Sequence, residues 1–567
     1  MDDYPWFKSY DPGMPHSLEP YPSKTLLDCF GEAVEERPDH PAVFFKGRRL
    51  SYAAIDRYSD ALAAALTAAG VKKGDRVSLL LPNCPQVLYC HLGVWKAGAI
   101  ASPINPLYTK MELEHAFNES GTEVVICLSS FYRAVKELQP KTKVRLVIAT
   151  GIDEHLPLLL KAGFKLVEER KGGHRIRLER GDLKLCDLLR KYRHAGRPKV
   201  EVKPSDPALL LFSGGTTGTT EAAVGTHHAL FISGYQLRTW FGALLEPWDD
   251  VILATVPTFH VFGNVALMGT ALVNHNPLAM VPNPRDINDL LHTINRVRPA
   301  FIPGVPTLFV ALLNHPLVKS GRVNIRSAKL CVAGGAPLLA EVKSRFEELT
   351  GGRMVEGYAL TESMLAGVIT PVMGKYKEGA VGLPLPDVIV KIVDAETGTR
   401  ELPPGQAGEI IIRAPQIMQG YWQRPKETAE MIRDGWLYTG DIGYVDEDGY
   451  LYIQSRKKSV IKCGGFQVWP RQVEEVLGSH KAVVDVIVAG IPDPYQGEAV
   501  KAWVVLDGLP CTVEELKKYC RERLTAYKVP RYIEIRDSLP KSAIGKPLAR
   551  ILLEEEMARM KQQSNKI

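Results

Sequence analysis

Leu210 to Leu230 reads LLFSGGTTGTTEAAVGTHHAL. Apolar residues lead into Ser213-Gly214-Gly215-Thr216-Thr217-Gly218, and an apolar, helix-compatible segment follows around Ala229 to Tyr235. A strand feeding a Gly/Thr-rich turn is a device for wrapping phosphate oxygens. Glycine lets backbone N–H groups approach closely, and threonine hydroxyls add donors. No Gly-Lys-Ser/Thr closes the turn, so it is not a Walker loop. Taken alone, the stretch is equally an ordinary surface loop, and the rest of the chain has to decide.

At 567 residues the chain is too long for one small core, so two or more domains are expected. Its 45% hydrophobic and 24% charged residues are those of a soluble globular protein. A net charge of +6 over this length is mild and does not argue for nucleic acid, and no repeated aromatic-plus-basic pattern does either. The amino terminus MDDYPWFKSY has no basic n-region and no apolar h-region of a secretory signal. No apolar run approaches the roughly 18 residues of a spanning helix. Nine cysteines without a C-x-x-C pair fit reduced thiols and a cytoplasmic location. His227-His228 lacks partners at ligand spacing, which argues against zinc.

Residues up to about 200 alternate helices and strands. Leu50-Ser51-Tyr52 opens a helix with Ile55, Tyr58, Ala61, Leu62 and Leu66 at threes and fours; Gly70 ends it, and Gly74-Asp75 turns into a strand Val77 to Leu81. A helix to Gly98 and a strand ending near Pro103 follow, a spacing that implies parallel pairing. Gly163 to Lys199 is densely basic with aliphatic residues interleaved. It reads as a solvated connector, with a patch for peripheral contact with an anionic membrane as the other reading. Asp446-Glu447-Asp448-Gly449 is a Gly-closed hairpin turn rather than a calcium loop. Beyond Ser455-Arg456-Lys457-Lys458 lies a piece on the scale of a small α+β domain, with a Pro470-opened helix, strands Val484 to Ala489 and Val500 to Leu506, a helix with the capping box Thr512/Glu515, and a strand Tyr532 to Ile535.

Several motifs recur in order: Thr216-Thr217-Gly218 with Thr226-His227; Pro257-Thr258-Phe259-His260-Val261-Phe262-Gly263; Gly304-Val305-Pro306-Thr307; Gly334-Gly335-Ala336-Pro337; Glu356-Gly357-Tyr358-Ala359-Leu360-Thr361-Glu362; Gly435 to Asp441; Gly464-Gly465-Phe466; and Pro540-Lys541-Ser542-Ala543-Ile544-Gly545-Lys546. The series resembles the adenylate-forming superfamily of acyl-CoA synthetases, adenylation domains of nonribosomal peptide synthetases and beetle luciferases, from about Tyr21 to Arg550. The resemblance implies an α/β fold with a large multi-sheet N-terminal adenylation domain (1–456) and a small mobile α+β C-terminal lid (457–567), hinged at Lys458. It implies that Ser213, Gly214, Thr216, Thr217 and Gly218 hold ATP phosphates, and that Gly334, Gly335, Ala336 and Pro337 border adenine and the acyl tunnel. Glu356, Gly357 and Tyr358 then contribute to the nucleotide site, where Tyr358 can stack on a purine. Thr361 can donate to the α-phosphate, while Glu362, with Thr217, suits Mg²⁺ carried by ATP. Asp441 and Arg456 would bind ribose, with the two carboxylate oxygens of Asp441 accepting its hydroxyls. His260 would sit beside the substrate carboxylate, Gly464-Gly465-Phe466 would line the pantetheine channel, and Lys546 would be the catalytic lysine. Ser542 stands where the family has threonine.

The implied reaction is a two-step ligation: acyl-adenylate and pyrophosphate from a carboxylate and ATP, then acyl-CoA and AMP after the small domain turns. A chain that stops soon after Lys546, with no carrier domain, points to free coenzyme A as acceptor; loading of a separate carrier protein is the rival. Pro5 to Tyr10, Pro15-His16 and Asn105 to Tyr108 look like bacterial long-chain fatty-acyl-CoA synthetases, with medium-chain and aryl acids left open. One departure stands out. The family's loop has Pro-Lys-Gly where this chain has Thr220-Glu221-Ala222, so an anion replaces a cation expected near the phosphates. Three outcomes follow from that exchange: a slower enzyme, an enzyme in which Glu221 recruits an extra Mg²⁺ or swings out, or a homologue that binds nucleotide or acyl-CoA without turnover. Monomer and homodimer both remain open.

Overall fold

Ser51 starts the second long helix, Tyr52–Ala68, by accepting the Ala54 N–H through its hydroxyl at 3.3 Å. That bond satisfies one of the first-turn donors a helix leaves open. The buried positions Ile55, Ala61, Leu62 and Leu66 pack on helix Pro85–Lys96, which is buried along its length. Asp56, Ser59 and Asp60 all meet the buried Lys96 amine there, at 2.6, 2.8 and 2.7 Å. Strands Arg76–Leu80 and Ile100–Pro103 flank this helix in sequence and pair in parallel, as a crossover requires.

The structure is a computed structural model and describes residues 4–213, 220–336, 338–463, 466–493, 496–542 and 547–564. The first sheet has seven strands, in the order Leu183–Lys184, Leu146–Thr150, Val124–Leu128, Arg76–Leu80, Ile100–Pro103, Pro207–Phe212 and Ala222–Thr226. Only the last pair is antiparallel. The segment read as a basic connector supplies an edge strand of this sheet and the helices Leu158–Lys171 and Leu185–Lys191.

The second sheet has nine strands, with Ile252–Ala254 between Leu278–Met280 on one side and Phe301–Gly304 on the other. The chain therefore reverses its winding direction at Ile252–Ala254, and the carboxyl ends of strands at such a switch point form a crevice. Leu330–Gly334 and Arg353–Tyr358 extend the parallel part. A five-stranded antiparallel sheet follows, with Trp436–Val445 and Leu451–Arg456 joined through the turn in which Gly449 N–H donates to Asp446 at 3.0 Å.

From Ile461 onward the chain builds a separate five-stranded sheet around Val483–Asp493 and Gly497–Leu506, with Tyr532–Ile535 parallel to the latter. Its helices are Pro470–Gly478, Val513–Arg521 with the Thr512/Glu515 capping box, and Ala549–Ser564. Leu516 and Cys520 are buried with Val488, Val500 and Val504 in a cluster of its own. Among the described residues, no helix is long and apolar enough to cross a membrane.

Asn83 ties the two large sheets together. Its amide donates to Ala254 and Val256 carbonyls, both at 2.9 Å, and its oxygen accepts the Thr258 N–H at 3.0 Å and hydroxyl at 3.1 Å. Asn264 extends the clamp by donating to the Thr258 carbonyl at 2.8 Å and meeting His91 Nε2 at 3.0 Å. His91 Nδ1 contacts the Val87 carbonyl at 2.8 Å, and burial pushes its pKa down to about 4, so the ring is neutral and accepts from Asn264. Replacing Asn83 by alanine strands several buried polar groups, each worth about 1–3 kcal/mol when unsatisfied. The first thermal unfolding transition of Asn83→Ala is expected to fall by several degrees; an unchanged transition would show that the clamp carries no stability.

Candidate active site

The crevice at the switch point opens into an apolar cavity. Phe241, Val256, His260, Phe262, Phe301 and Leu365 are among the side chains that line it, and the backbone of Gly334 and Gly335 forms part of its wall. Gly263 makes the His260 turn possible, because a Cβ there would lie 2.1 Å from the Pro257 carbonyl oxygen. His260 N–H donates to Pro257 at 3.1 Å, and its carbonyl accepts the Asn264 N–H at 2.8 Å. The residues that follow, Phe262–Met268, form a wide π-helical turn of the kind found at functional sites. Gly334, at the end of its strand, faces the Phe262 ring, and a Cβ would sit 3.1 Å from it.

Tyr358 stands at the cavity and points its hydroxyl to Asp441 Oδ2 at 2.6 Å. Arg456 Nε meets the other oxygen, Oδ1, at 2.6 Å. Asp441 and Arg456 are direct partners across antiparallel strands, which brings residues 15 positions apart side by side. The buried carboxylate is thus engaged on both oxygens, and burial followed by the Asp441 charge holds the Tyr358 phenol well above its ordinary pKa. Three of the residues the sequence assigns to nucleotide and ribose thus form one contiguous group.

Thr361 and Glu362 are buried just beyond, in the turn after strand Arg353–Tyr358. Met364 and Leu365 complete that turn with φ of 44° and 68°, a left-handed conformation that non-glycine residues rarely adopt. Ser233 pins it by donating to the Met364 carbonyl at 2.6 Å. Glu362 Oε1 accepts the Tyr421 hydroxyl at 2.9 Å. Tyr421 arrives because residues 419–422 pair with strand Ala222–Thr226, through Val224 N–H to Gly420 and Trp422 N–H to Ala222 at 2.9 and 2.8 Å. Sequence reasoning missed Tyr421 and its neighbour Arg424; Gly420-Tyr421-Trp422 was the available signal.

Strand Pro207–Phe212 enters the Gly/Thr-rich loop and Ala222–Thr226 leaves it, closed by Ser213 N–H to the Glu221 carbonyl at 2.9 Å. The return by a strand, not directly by a helix, places Glu221 beside residues 419–424. Helix His227–Phe241 then starts at Thr226, whose hydroxyl accepts the Ala229 N–H at 3.0 Å. Burial raises the Glu221 pKa, the Glu427, Glu362 and Glu119 carboxylates add to the rise, and Arg424 opposes it. Arg424 itself grips Glu119 with two nitrogens at 2.7 and 3.0 Å. The anion of the sequence therefore sits within reach of a cation.

Gly214, Thr216, Thr217, Gly218, Pro337, Gly464, Gly465 and Lys546 lie outside the described residues. Phe466 opens a short strand, and Lys458 lies in the turn Lys457–Ser459. Ala336 follows Gly335, whose φ is 83°. Among the described residues no group of three His, Cys, Asp or Glu side chains is arranged for a metal ion. Mg²⁺ needs less than that when it travels with a nucleotide, since it takes one or two carboxylates, phosphate oxygens and waters. Glu362, with Oε1 engaged by Tyr421, has its second oxygen for such a contact.

Glu356 is the remaining polar member. It is buried, its Oε2 accepts the Leu338 N–H at 3.4 Å, and the Tyr376 hydroxyl lies beside its carboxyl. Burial pushes its pKa up to about 7. A raised carboxyl pKa means the folded chain binds the proton more tightly than the unfolded one, so stability falls as pH rises from about 4.5 to about 7. Glu356→Gln is expected to flatten that part of the stability–pH curve and to gain up to about 3 kcal/mol at pH 8. Denaturant titrations at pH 5 and pH 8 read the difference directly; equal slopes for both proteins would remove Glu356 as its source.

An apolar cavity at a switch point, with a tyrosine–carboxylate–arginine group at its edge, is the arrangement of a small-molecule site in an α/β fold. The chain belongs to the AMP-binding enzyme family: the family profile matches residues 30–422 and the profile of its C-terminal domain matches residues 472–546. It is 38% identical over 557 residues to a long-chain-fatty-acid–CoA ligase of Bacillus subtilis (strain 168), covering 97% of this chain and 98% of that one. A ligase of the same name from Escherichia coli O6:H1 is 37% identical over 559 residues, with 97% and 98% covered. The crystal structure of ATP-bound MatB from Rhodopseudomonas palustris superimposes with a TM-score of 0.80 at 27% identity, over 93% of this chain and 98% of that one.

Proposed function

We propose that the chain is an ATP-dependent fatty-acid–CoA ligase acting on medium- to long-chain acids. The observation that carries this reading is the apolar cavity ending at His260 and Tyr358, directly beside the Tyr358–Asp441–Arg456 group. An acyl chain suits the apolar lining, with its carboxylate toward His260 and Tyr358, where the nucleotide residues begin. In the first half-reaction a carboxylate oxygen attacks the α-phosphorus of ATP, the bond to the β-phosphate bridge breaks, and pyrophosphate leaves. In the second the CoA thiol attacks the acyl carbonyl, AMP leaves, and the thiol proton passes to solvent.

Each residue has a part in that scheme. Tyr358 stacks on the purine, with Gly334, Gly335, Ala336, Pro337, Glu356 and Gly357 around it. Asp441 and Arg456 hold the ribose, and Ser213, Gly214, Thr216, Thr217 and Gly218 hold the phosphates. Glu362 and Thr217 would hold the Mg²⁺ carried by ATP, which would supply charge neutralisation. Thr361 donates to the α-phosphate, His260 borders the carboxylate, and Lys546 bridges carboxylate and α-phosphate as charge accumulates. Domains 1–456 and 457–567 turn about Lys458 between the half-reactions, so that Gly464, Gly465 and Phe466 line the CoA channel. The separate core from Ile461 onward and the short turn Lys457–Ser459 support that division.

Glu221 sets the rate. At about 4 Å and an effective dielectric near 20 a charge pair is worth roughly 4 kcal/mol, and solvent and the nearby Arg424 reduce it. Glu221→Lys is expected to raise adenylation about tenfold or more, a gain of about 1.4 kcal/mol per decade. Because the Glu221 carboxyl is less acidic than usual, wild-type adenylation is expected to decline as pH rises through its pKa, and Glu221→Gln to lose that limb. The decisive experiment is ATP-dependent acyl-CoA formation, read by mass spectrometry over short, medium, long and aromatic acids, with Glu221→Lys beside the wild type. Thioester from medium and long acids supports the ligase. Product from the mutant alone means a ligase silenced at Glu221, and silence from both with ATP still bound means a binding protein.

Lys546→Ala separates the two half-reactions. Adenylation is expected to fall about 100-fold or more, while synthetic acyl-AMP plus CoA still gives thioester. Equal loss of both would remove Lys546 from its assigned part.

A further inference from the structure

Helix Leu158–Lys171 is turned the wrong way for a surface helix. Leu158, Leu159 and Leu166 are 86%, 88% and 84% exposed, and Leu160 and Val167 are 52% and 53% exposed. At 100° per residue, Leu158, Leu159, Ala162, Gly163 and Leu166 share an arc of about 140°. Phe164, opposite the centre of that arc, is the anchor: it packs on the main core and meets the His174 ring edge-to-face at 5.2 Å. His174 is held in turn by Ser129 Oγ at 3.0 Å, and Lys161 reaches Asp153 at 3.7 Å. Surface helices of globular proteins turn their apolar stripe to the core; this one is fixed to the body by its other side and offers the stripe outward.

We propose that this face docks on an anionic lipid bilayer, with the helix lying in the interface and its leucines below the headgroups. Charge selects this occupant. Residues 158–180 carry seven lysines and arginines against three glutamates. Lys165, Lys171, Arg175, Arg177 and Arg180 are exposed, and none forms an ion pair with another described residue. Glu169 and Arg170, in the last turn, fall within the same arc; Glu169 is half-buried, and its carbonyl is capped by the His174 and Arg175 N–H groups, both at 3.0 Å. Two copies of the chain meeting through this face would press two basic rims together, whereas acidic headgroups neutralise them. Apolar insertion ringed by cations is the composition of interfacial helices. The inference rests on the helix alone and stands whether or not the chain is a ligase.

Flotation of the full chain with phosphatidylglycerol/phosphatidylcholine vesicles tests it without turnover. The wild type is expected to float with mixed vesicles at low salt and at least about tenfold less with phosphatidylcholine alone. Two variants, Leu158→Ser/Leu159→Ser/Leu166→Ser and Lys165→Glu/Arg175→Glu/Arg177→Glu, should each lose about tenfold or more on mixed vesicles. All six positions are exposed, so the thermal transition should not move and a folding defect is read separately. Undiminished flotation of the serine variant overturns the proposal, as does wild-type flotation that ignores lipid charge. A wild type that ignores vesicles, yet sediments as a dimer that the serine variant splits, assigns the face to a second copy instead.

Discussion

A carboxylate buried between two sheets needs partners on both oxygens, and Asp441 draws them from separate parts of the chain. Tyr358 comes from the end of the nine-stranded sheet and Arg456 from the neighbouring strand of the five-stranded one. A lone buried carboxylate would cost several kcal/mol, so this pair of contacts fixes how the sheets approach each other. The cavity wall at Tyr358 and the last strand before the C-terminal sheet are held in one geometry as a result. Removing either partner leaves a charge that the interior does not solvate.

The same economy governs the acidic cluster around Glu221. Glu119, Glu362 and Glu427 stand near it, with Arg424 as the cation and the Tyr421 hydroxyl on Glu362. An anion just after the Gly/Thr-rich stretch reads as a defect in a linear sequence. In three dimensions it belongs to a network in which burial weakens the charge and an arginine stands close. On the proposed reading, its consequence for nucleotide binding depends on residues about 200 positions away as much as on its own neighbours in sequence.

Much of this was legible in the sequence, and the exceptions have physical causes. Ser51 and Thr512 announce their helices because a cap is a local event between neighbours. The Tyr358, Asp441 and Arg456 motifs were recognisable one by one, and the pairing of Asp441 with Arg456 follows from a hairpin whose turn residues are plain. Tyr421 was not foreseen, because it reaches Glu362 only through pairing of residues 419–422 with a strand that the glycine-rich stretch does not advertise. Met364 and Leu365 escaped for a different reason: a left-handed backbone is signalled by glycine or asparagine, and here neither is present. Apolar periodicity shows that the helix from Leu158 has an apolar face. Which way that face points is decided by Phe164 and His174, a contact between segments.

The tight contact at Gly263 links the two ends of the cavity. The turn that presents His260 and the helix that carries Phe262 and Leu267 along the wall are one short piece of backbone, folded so closely that no side chain fits between its limbs. Slack is absent from that piece, since Asn83 and Asn264 grip it from behind. A guest too wide for the wall is then felt at the histidine, as a lever moves at both ends. On the proposed reading, the width of the tail and the alignment of the head are a single mechanical variable, and a poor fit in the depths appears as poor chemistry at the mouth.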